Sequence, residues 1–399
     1  MIGKHKWLFI ALIALSALGV MGIYSSTFAD FGSRYAVRQV IWVCLGLGSM
    51  LVMASVKTRT LSALAPLVYL GVILLLVLVL VIGKGPQGTR RWFDLGFFQF
   101  QPSELAKMAT LLMLSRYLSE KKNLGDSIRS ILFVFAIVGV PAALILYEPD
   151  LGTSLVIAFL AFPMLYAAGL DPLYLLLLLS PLVGVVCSVE ILAWGIFVGL
   201  LMLLILLGRF KTSLVTLVIG VNFLLYSLAP RLWEGLAPYQ KDRVMAFLHP
   251  QSYKHGAGFQ IIQSKIAIGS GGLAGKGFLE GTQKALGLVP AQHTDFVFSV
   301  VGEELGLLGS LVVLLLLFLV VSRVLRVAGG ASHRFSIYLC FGFASLLVMQ
   351  TFINIGMTLG LTPVTGLPLP FVSYGGSQTI VFWAMIGTVL AAHASRKAV

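Results

Sequence analysis

An imidazole and a carboxylate two positions apart, His293 and Asp295, close the longest polar interruption in an otherwise apolar chain. They stand in Pro290-Ala291-Gln292-His293-Thr294-Asp295-Phe296, at the mouth of a long apolar run. An acid and an imidazole placed there are a candidate chemical centre. With Thr294 as helix N-cap, Asp295 falls in the first turn, and Asp295, Ser299 and Glu303 share one helix face. The plainer role for Asp295 is an acid set against the helix dipole. Glu303 and Glu304 lie deeper in the apolar run, so at least one of them must be buried and paired.

Four further clusters carry ionisable groups where an apolar chain would not place them without reason. In Arg90-Arg91-Trp92, two guanidiniums beside an indole suit a phosphate, which Arg binds bidentately; an interfacial anchor is the alternative. Gln101-Pro102-Ser103-Glu104 opens a helix, and Glu104 and Lys107 share a face three residues apart, either facing a cavity or neutralising each other. Glu148-Pro149-Asp150 places two acids in a short outer turn. Oxygen ligands of this kind suit magnesium or manganese, but two acids alone assign no metal site. Lys265 sits in an amphipathic segment expected to lie at the interface. After it comes Gly269-Ser270-Gly271-Gly272-Leu273-Ala274-Gly275-Lys276-Gly277, which lacks the ending of a phosphate loop but gives a backbone able to approach a ligand closely. Finally, residues 362–377 are dense in Pro and Gly around Ser373; a non-helical path at membrane depth must line a protein cavity and can close a pocket around Asp295.

The elements that must position these residues are membrane helices. The chain of 399 residues is 58% hydrophobic and 11% charged, against roughly 25% charged in soluble domains. Apolar runs near 7–25, 37–56, 62–83, 103–119, 131–147, 151–169, 173–190, 191–208, 213–230, 297–321, 335–356 and 377–394 approach the ~20 residues a membrane helix needs. The expected fold is an all-α polytopic membrane protein of about 10–12 transmembrane helices, with residues 230–296 as a large extracytoplasmic loop before the tenth span. The stretch 173–208 reads as a tight hairpin or as one bent helix. Basic residues fall at alternate turns, including Lys4, Lys6, Lys57, Arg59, Lys121, Arg209, Lys211, Arg396 and Lys397, which puts both termini in the cytoplasm. The net charge of +13 is therefore first a topology signal, and nucleic acid is not expected. The three cysteines sit in apolar runs without disulfide or zinc spacing.

Taken together and in order, Arg91-Trp92, Gln101-Pro102-Ser103-Glu104-Leu105-Ala106-Lys107, Glu148-Pro149-Asp150-Leu151-Gly152-Thr153, His293-Thr294-Asp295-Phe296, Gly302-Glu303-Glu304-Leu305-Gly306 and Pro370-Phe371-Val372-Ser373-Tyr374-Gly375-Gly376 resemble the SEDS family (shape, elongation, division and sporulation). The stretch from Gln263 to Gly272, with Gly281-Thr282-Gln283, is more similar to its RodA-like rod-shape branch than to its division branch. The resemblance implies a single SEDS-type domain over 1–399 and a peptidoglycan glycosyltransferase in the bacterial cytoplasmic (inner) membrane. It would polymerise lipid II during elongation, beside a class B penicillin-binding protein and other elongation-complex membrane proteins. It carries the family's essential aspartate onto Asp295, its loop tryptophan onto Trp92 and its cavity lysine onto Lys107. Two departures stand out: the family usually has about ten spans, and some members have Arg where this chain has Gln99. On this reading Asp295 activates the acceptor hydroxyl and undecaprenyl diphosphate leaves. Lys107 and Arg91 neutralise it first, with Lys265 or a Mg2+ or Mn2+ ion behind them and His293 and Trp92 as further substrate contacts. Glu104, Glu148, Asp150, Glu303, Glu304 and Ser373 are the polar groups of the cavity or its frame. The competing class is a lipid II flippase, which many spans and intramembrane charges also suit.

Overall fold

The computed structural model describes residues 6–85, 89–94, 96, 98–121, 127–188, 190–236, 238–253, 256–282 and 292–395. Lys4, Pro290, Ala291, Gln283, Arg396 and Lys397, used above, lie outside them. Among the described residues the helices are α1 (Lys6–Phe31), α2 (Arg34–Ser55), α3 (Thr58–Ile82), α4 (Pro102–Glu120), α5 (Ile128–Tyr147), α6 (Leu151–Phe159), α7 (Ala161–Ala167), α8 (Pro172–Cys187), α9 (Ile191–Leu207), α10 (Thr212–Gly235), α11 (Pro238–Leu248), α12 (Ala257–Ser270), α13 (Val297–Gly329), α14 (Arg334–Leu359) and α15 (Gly376–Ala394). Eight are long and apolar enough to cross a membrane, and three shorter apolar stretches, 151–167, α8 and α9, join them. The architecture is thus an all-α polytopic membrane fold with 8–11 candidate crossings. One small addition is a two-residue antiparallel pair, β1 (Phe93–Asp94) with β2 (Gln99–Phe100), folding the loop after α3 over the site. The ambiguous stretch 173–208 is a hairpin, because the helix stops at Ser188 and restarts after Glu190.

The core follows from which helices are too polar to face lipid. Helix α4 carries Glu104, Lys107, Thr110 and Ser115, all buried, and packs between α3, α5, α14 and α15. Helix α15 is the most enclosed of the long helices, with Trp383 and Phe382 fully buried. By contrast α8, α9 and α10 pack on one another around Leu177, Phe197, Leu201, Leu214 and Val218, a satellite cluster beside the main core. Their remaining faces are leucine-rich and exposed, as a lipid-facing surface must be.

The 230–296 loop packs on the helices after it. Helix α12 is amphipathic and docks its buried face on the protein: Ile261, Ser264 and Ala267 are buried, and Ser264 shares a hydrogen bond with Ser299 (2.6 Å) and donates to the Thr358 carbonyl (2.6 Å). The glycine loop after it closely approaches protein backbone. Gly306 has φ +64° and breaks α13. A broken helix strands carbonyls and N–H groups that lipid cannot satisfy. The loop supplies the missing partners: Lys276 and Gly277 donate N–H to the carbonyls of Glu303 and Glu304 (3.0 and 3.1 Å). Leu307 and Leu308 donate to Gly272 and Leu273 (2.9 and 3.1 Å). A Cβ on Gly275 would collide with the Glu304 carbonyl, and one on Gly306 with the Gly275 amide.

Candidate functional site

A cavity of about 740 Å³ opens where the loops after α3, α5 and α14 meet α2 and the segment before α13. Asp295 is on its wall, together with Arg91, Trp92, Glu104, Asp150 and His293 from the sequence-predicted set. Sequence positions from 35 to 378 converge on this one volume, which lies in the size range of small-molecule sites.

Asp295 sits in a turn at residues 292–296, not in the first turn of α13, whose N-cap position is Phe296. Thr294 is therefore not the N-cap; its side chain instead hydrogen-bonds the Asp295 carboxylate. Asn354 of α14 donates to the Asp295 carbonyl (2.9 Å) and the Leu367 carbonyl (2.6 Å), tying the turn to the Pro/Gly-rich segment. That segment is buried at Val364, Leu367, Leu369, Phe371 and Val372, and lines the cavity through Thr365, Gly366, Pro368 and Tyr374, so its non-helical backbone is enclosed in protein as expected. Gly366 has φ +75° and passes close by: a Cβ there would lie 3.3 Å from Asp295 Oδ2 and 3.9 Å from an Arg243 nitrogen. Burial pushes the Asp295 carboxyl up to about 6, while the Arg243 guanidinium pulls it down; Thr294 and Arg91 also lower it and Asp150 raises it. A base mostly ionised at neutral pH, with a cation beside it, is the result.

Arg91 is fixed by backbone: it donates to the Glu148 carbonyl (2.8 Å) and to the Pro149 carbonyl. Arg90 instead donates to the end of α3 at Leu80 (2.8 Å), the anchor role. Asp150 caps α6, accepting from the Thr153 amide (3.1 Å) and hydroxyl (2.9 Å) and from Gln101 (3.3 Å). Glu148 is fully buried, and its carboxyl oxygens have no hydrogen-bond partner among the described residues. Burial, with the Asp150 charge, pushes it up to about 9 against the pull of Arg91. Without a cation beside it, it is a neutral acid at pH 7. Burial also lowers His293, whose ring packs tilted against Tyr35 (4.9 Å) and edge-on against Tyr374 (5.7 Å).

Several expected site residues stand apart from the cavity. Lys107 is fully buried and does not line it. Its ammonium donates to Glu104 (2.8 Å) and Gln350 (3.1 Å) and sits 5.2 Å from the Phe382 ring centre. Glu104 forms the floor, with Lys107 beneath it. Gln350 also donates to the Pro368 carbonyl (2.8 Å), so the pair is wired to the cavity rim. Lys265 lines a separate cavity of about 490 Å³ between α11 and α12. Glu303 and Glu304 are buried at the α13 break, the former paired with Lys276 (2.7 Å), the latter accepting from Ser25 (2.5 Å). Ser373 closes a turn, accepting from the Leu369 amide (2.8 Å).

Sequence reasoning missed Arg243, on α11 beside Asp295 and donating to the Thr365 carbonyl (3.3 Å), and Tyr35, Arg38 and Trp42 on α2. Arg38 and Trp42 did carry a signal: a spacing of four places them on one face of the 37–56 run, which Tyr35 precedes by two residues. Arg243 carried none, being one of several basic residues in a polar loop.

Residues 6–398 match the FtsW/RodA/SpoVE family, described as cell cycle proteins. The chain is 37% identical over 388 residues to peptidoglycan glycosyltransferase MrdB of Escherichia coli K12, covering 97% of this chain and 92% of that protein. It is 34% identical over 396 residues to a probable peptidoglycan glycosyltransferase FtsW of Coxiella burnetii, covering 96% and 94%. Among solved structures it is similar to a chain of a peptidoglycan synthase complex that coordinates polymerization and crosslinking (TM-score 0.73, 32% identity, 98% and 97% covered). It is also similar to the rod shape determining protein RodA of Thermus thermophilus (TM-score 0.64, 28% identity, 98% and 96% covered). Motif order, enclosed cavity and these full-length likenesses agree, and the chain belongs to the FtsW/RodA/SpoVE family of cell cycle proteins, the SEDS family.

Proposed function

We propose that this chain is a peptidoglycan glycosyltransferase that polymerises lipid II, with Asp295 as general base. The observation that carries the role is a carboxylate with a near-neutral pKa, on the wall of an enclosed cavity, flanked by two arginines. Asp295 takes the proton of the acceptor sugar hydroxyl. The hydroxyl oxygen attacks the donor anomeric carbon, the bond from that carbon to the diphosphate breaks, and the electron pair leaves on the diphosphate. Direct displacement inverts the anomeric centre. The leaving group needs positive charge and no acid, and Arg91 and Arg243, both on the cavity lining, supply it. Lys107 acts through Glu104 and Gln350, holding the floor and the rim in register.

A hard divalent cation has donors here. Asp295 and Asp150 both face the cavity, and each would offer oxygen; diphosphate oxygens would complete the shell, as is common for magnesium. Among the described residues no group of three His, Cys, Asp or Glu side chains could hold a metal ion. Such an ion would neutralise developing charge on the diphosphate.

The chain works in the bacterial cytoplasmic membrane with a class B penicillin-binding protein that crosslinks its product. Counting α4, the broken α6–α7 pair, α8 and α9 as crossings gives twelve, with residues 230–296 outside before the tenth and both termini in the cytoplasm. Loop charge supports this parity. The test is polymerisation of purified lipid II by the reconstituted chain, with and without its transpeptidase partner. Wild type gives polymer and a folded Asp295→Asn variant gives none. Equal polymer from both removes Asp295 as the base. Movement of labelled lipid II across the bilayer without polymer replaces the transferase with a flippase.

A further inference from the structure

The cavity holds one cation that the reaction at Asp295 does not use. Its lining includes three cationic side chains among the described residues, Arg38, Arg91 and Arg243. Arg91 is tied to the 148–149 carbonyls and Arg243 to Thr365. Arg38 is exposed to the cavity and has no hydrogen-bond or ion-pair partner among the described residues. Arg243 and Arg91 are the cations whose charge lowers the Asp295 carboxyl. Arg38 lies one helical turn along α2 from Tyr35, the residue that packs on His293.

Its neighbours on α2 are aromatic. Tyr35, Arg38 and Trp42 fall on one helix face and all line the cavity, a stripe about 10 Å long at 1.5 Å per residue. Tyr35 packs on His293 (4.9 Å) and Tyr374 (5.2 Å), next to the catalytic turn, and Trp42 packs on Phe98 (4.8 Å). The stripe is held rigid from behind. Gln39, buried, donates to Thr379 (3.1 Å) and the Ser373 carbonyl (3.4 Å) and accepts from the Gly375 amide (3.3 Å). A guanidinium set between fixed aromatic faces is chemistry for a phosphorylated sugar: the rings take the apolar sugar faces, and the guanidinium takes phosphate oxygens bidentately.

The reaction supplies a ligand for it. Each transfer joins two lipid-linked saccharides, so two diphosphates must be accommodated at once. The acceptor's reacting hydroxyl is at the end of its disaccharide farthest from its own diphosphate. With that hydroxyl at Asp295, the acceptor diphosphate lies one disaccharide away and out of reach of cations clustered at the reacting carbon. We propose that Arg38, with Tyr35 and Trp42, forms a second diphosphate-saccharide subsite that holds the acceptor lipid II, while Arg91 and Arg243 serve the leaving diphosphate of the donor. This rests on the glycosyltransferase reading and adds the division of labour within its cavity.

The test is equilibrium titration of the full-length chain in detergent with a fluorescent lipid II analogue whose acceptor hydroxyl is methylated, so that nothing turns over. Wild type and Asp295→Asn bind two equivalents, and Arg38→Glu binds one. Arg38→Lys, which keeps the charge, binds two. One equivalent in wild type, or two in Arg38→Glu, overturns the subsite. Excess phosphatidylglycerol in the micelle leaves both equivalents bound; loss of one makes Arg38 a phospholipid anchor and overturns the proposal as well. In turnover, Arg38→Gln raises the KM for lipid II by about tenfold or more and leaves the saturated rate within about threefold of wild type. A fallen kcat with unchanged KM counts against it. Arg38 has no partner to strand, so the thermal midpoints of these variants match wild type. Polymer from wild type combined with two equivalents in Arg38→Glu removes the subsite alone, while no polymer from wild type under any partner condition removes the reading beneath it.

Discussion

Asp295 makes the sharpest predictions at the scale of single residues. Its carboxyl titrates at about 6, so the polymerisation rate rises as pH passes from 5 to 7 and the base ionises. The Arg243 guanidinium lowers that value, so Arg243→Ala moves the midpoint of the pH–rate profile upward. The folded state keeps a proton on Asp295 that the unfolded chain has lost above about 4. Ionising it therefore costs stability as pH rises toward 6, and the full cost is present above 6. Asp295→Asn removes that cost: the variant should be inactive yet melt higher than wild type at pH 7.5, which separates loss of chemistry from loss of fold. Glu148 differs: pushed up to about 9, it is already neutral at pH 7. Glu148→Gln should retain polymerisation and thermal midpoint, and a large loss of either would show that the ionised form is needed.

At the scale of elements, buried pairs decide which helices are held and how. Removing one partner of a buried ion pair leaves a charge without compensation and costs about 3–5 kcal/mol. Lys107→Met should therefore destabilise the chain by roughly that amount, and the double variant Glu104→Gln with Lys107→Met should recover most of it. Denaturation in mild detergent reads both. Recovery of polymerisation along with stability would make the pair a frame, whereas stability without activity would show that the lysine's charge is needed in the reaction. The α13 break tests differently. Gly275→Ala or Gly306→Ala drives a methyl into backbone that already satisfies the broken helix. Both should yield little monodisperse protein, while Gly269→Ala, with open space around it, should behave as wild type.

At the scale of the whole molecule, the prediction is topology. With the native cysteines replaced, a membrane-impermeant maleimide added to intact spheroplasts should label Ser33→Cys, in the turn between α1 and α2, and not Lys57→Cys, in the turn between α2 and α3. The reverse pattern would invert the chain and put Asp295 on the cytoplasmic side. The satellite α8–α10 shares little core with the rest, so its connection to the site runs mainly along the chain, from α10 into α11 and Arg243.

Much of this was legible in the residues themselves. Low charge and long apolar runs dictate a helical membrane fold, because lipid leaves backbone groups no other partner. The motif order identified the family, and Asp295, Arg91, Trp92, Glu104 and Asp150 were named from local chemistry and do share one cavity. What the residues could not show is direction and depth. Lys107 and Lys265 read as cavity cations, but one faces inward under Glu104 and the other a different cavity, since a side chain's neighbours come from other helices. The glycine loop read as a ligand cradle because flexibility is visible in sequence, whereas the broken helix it completes lies some thirty residues on, at Gly306. Arg243 reached Asp295 only through the docking of α11, and Tyr35, Arg38 and Trp42 became a surface only when α2 turned that face to the catalytic turn. Residue type and spacing determined which groups could do chemistry; the tertiary packing of helices decided which of them meet, because catalysis and recognition act over a few ångströms between residues far apart in the chain.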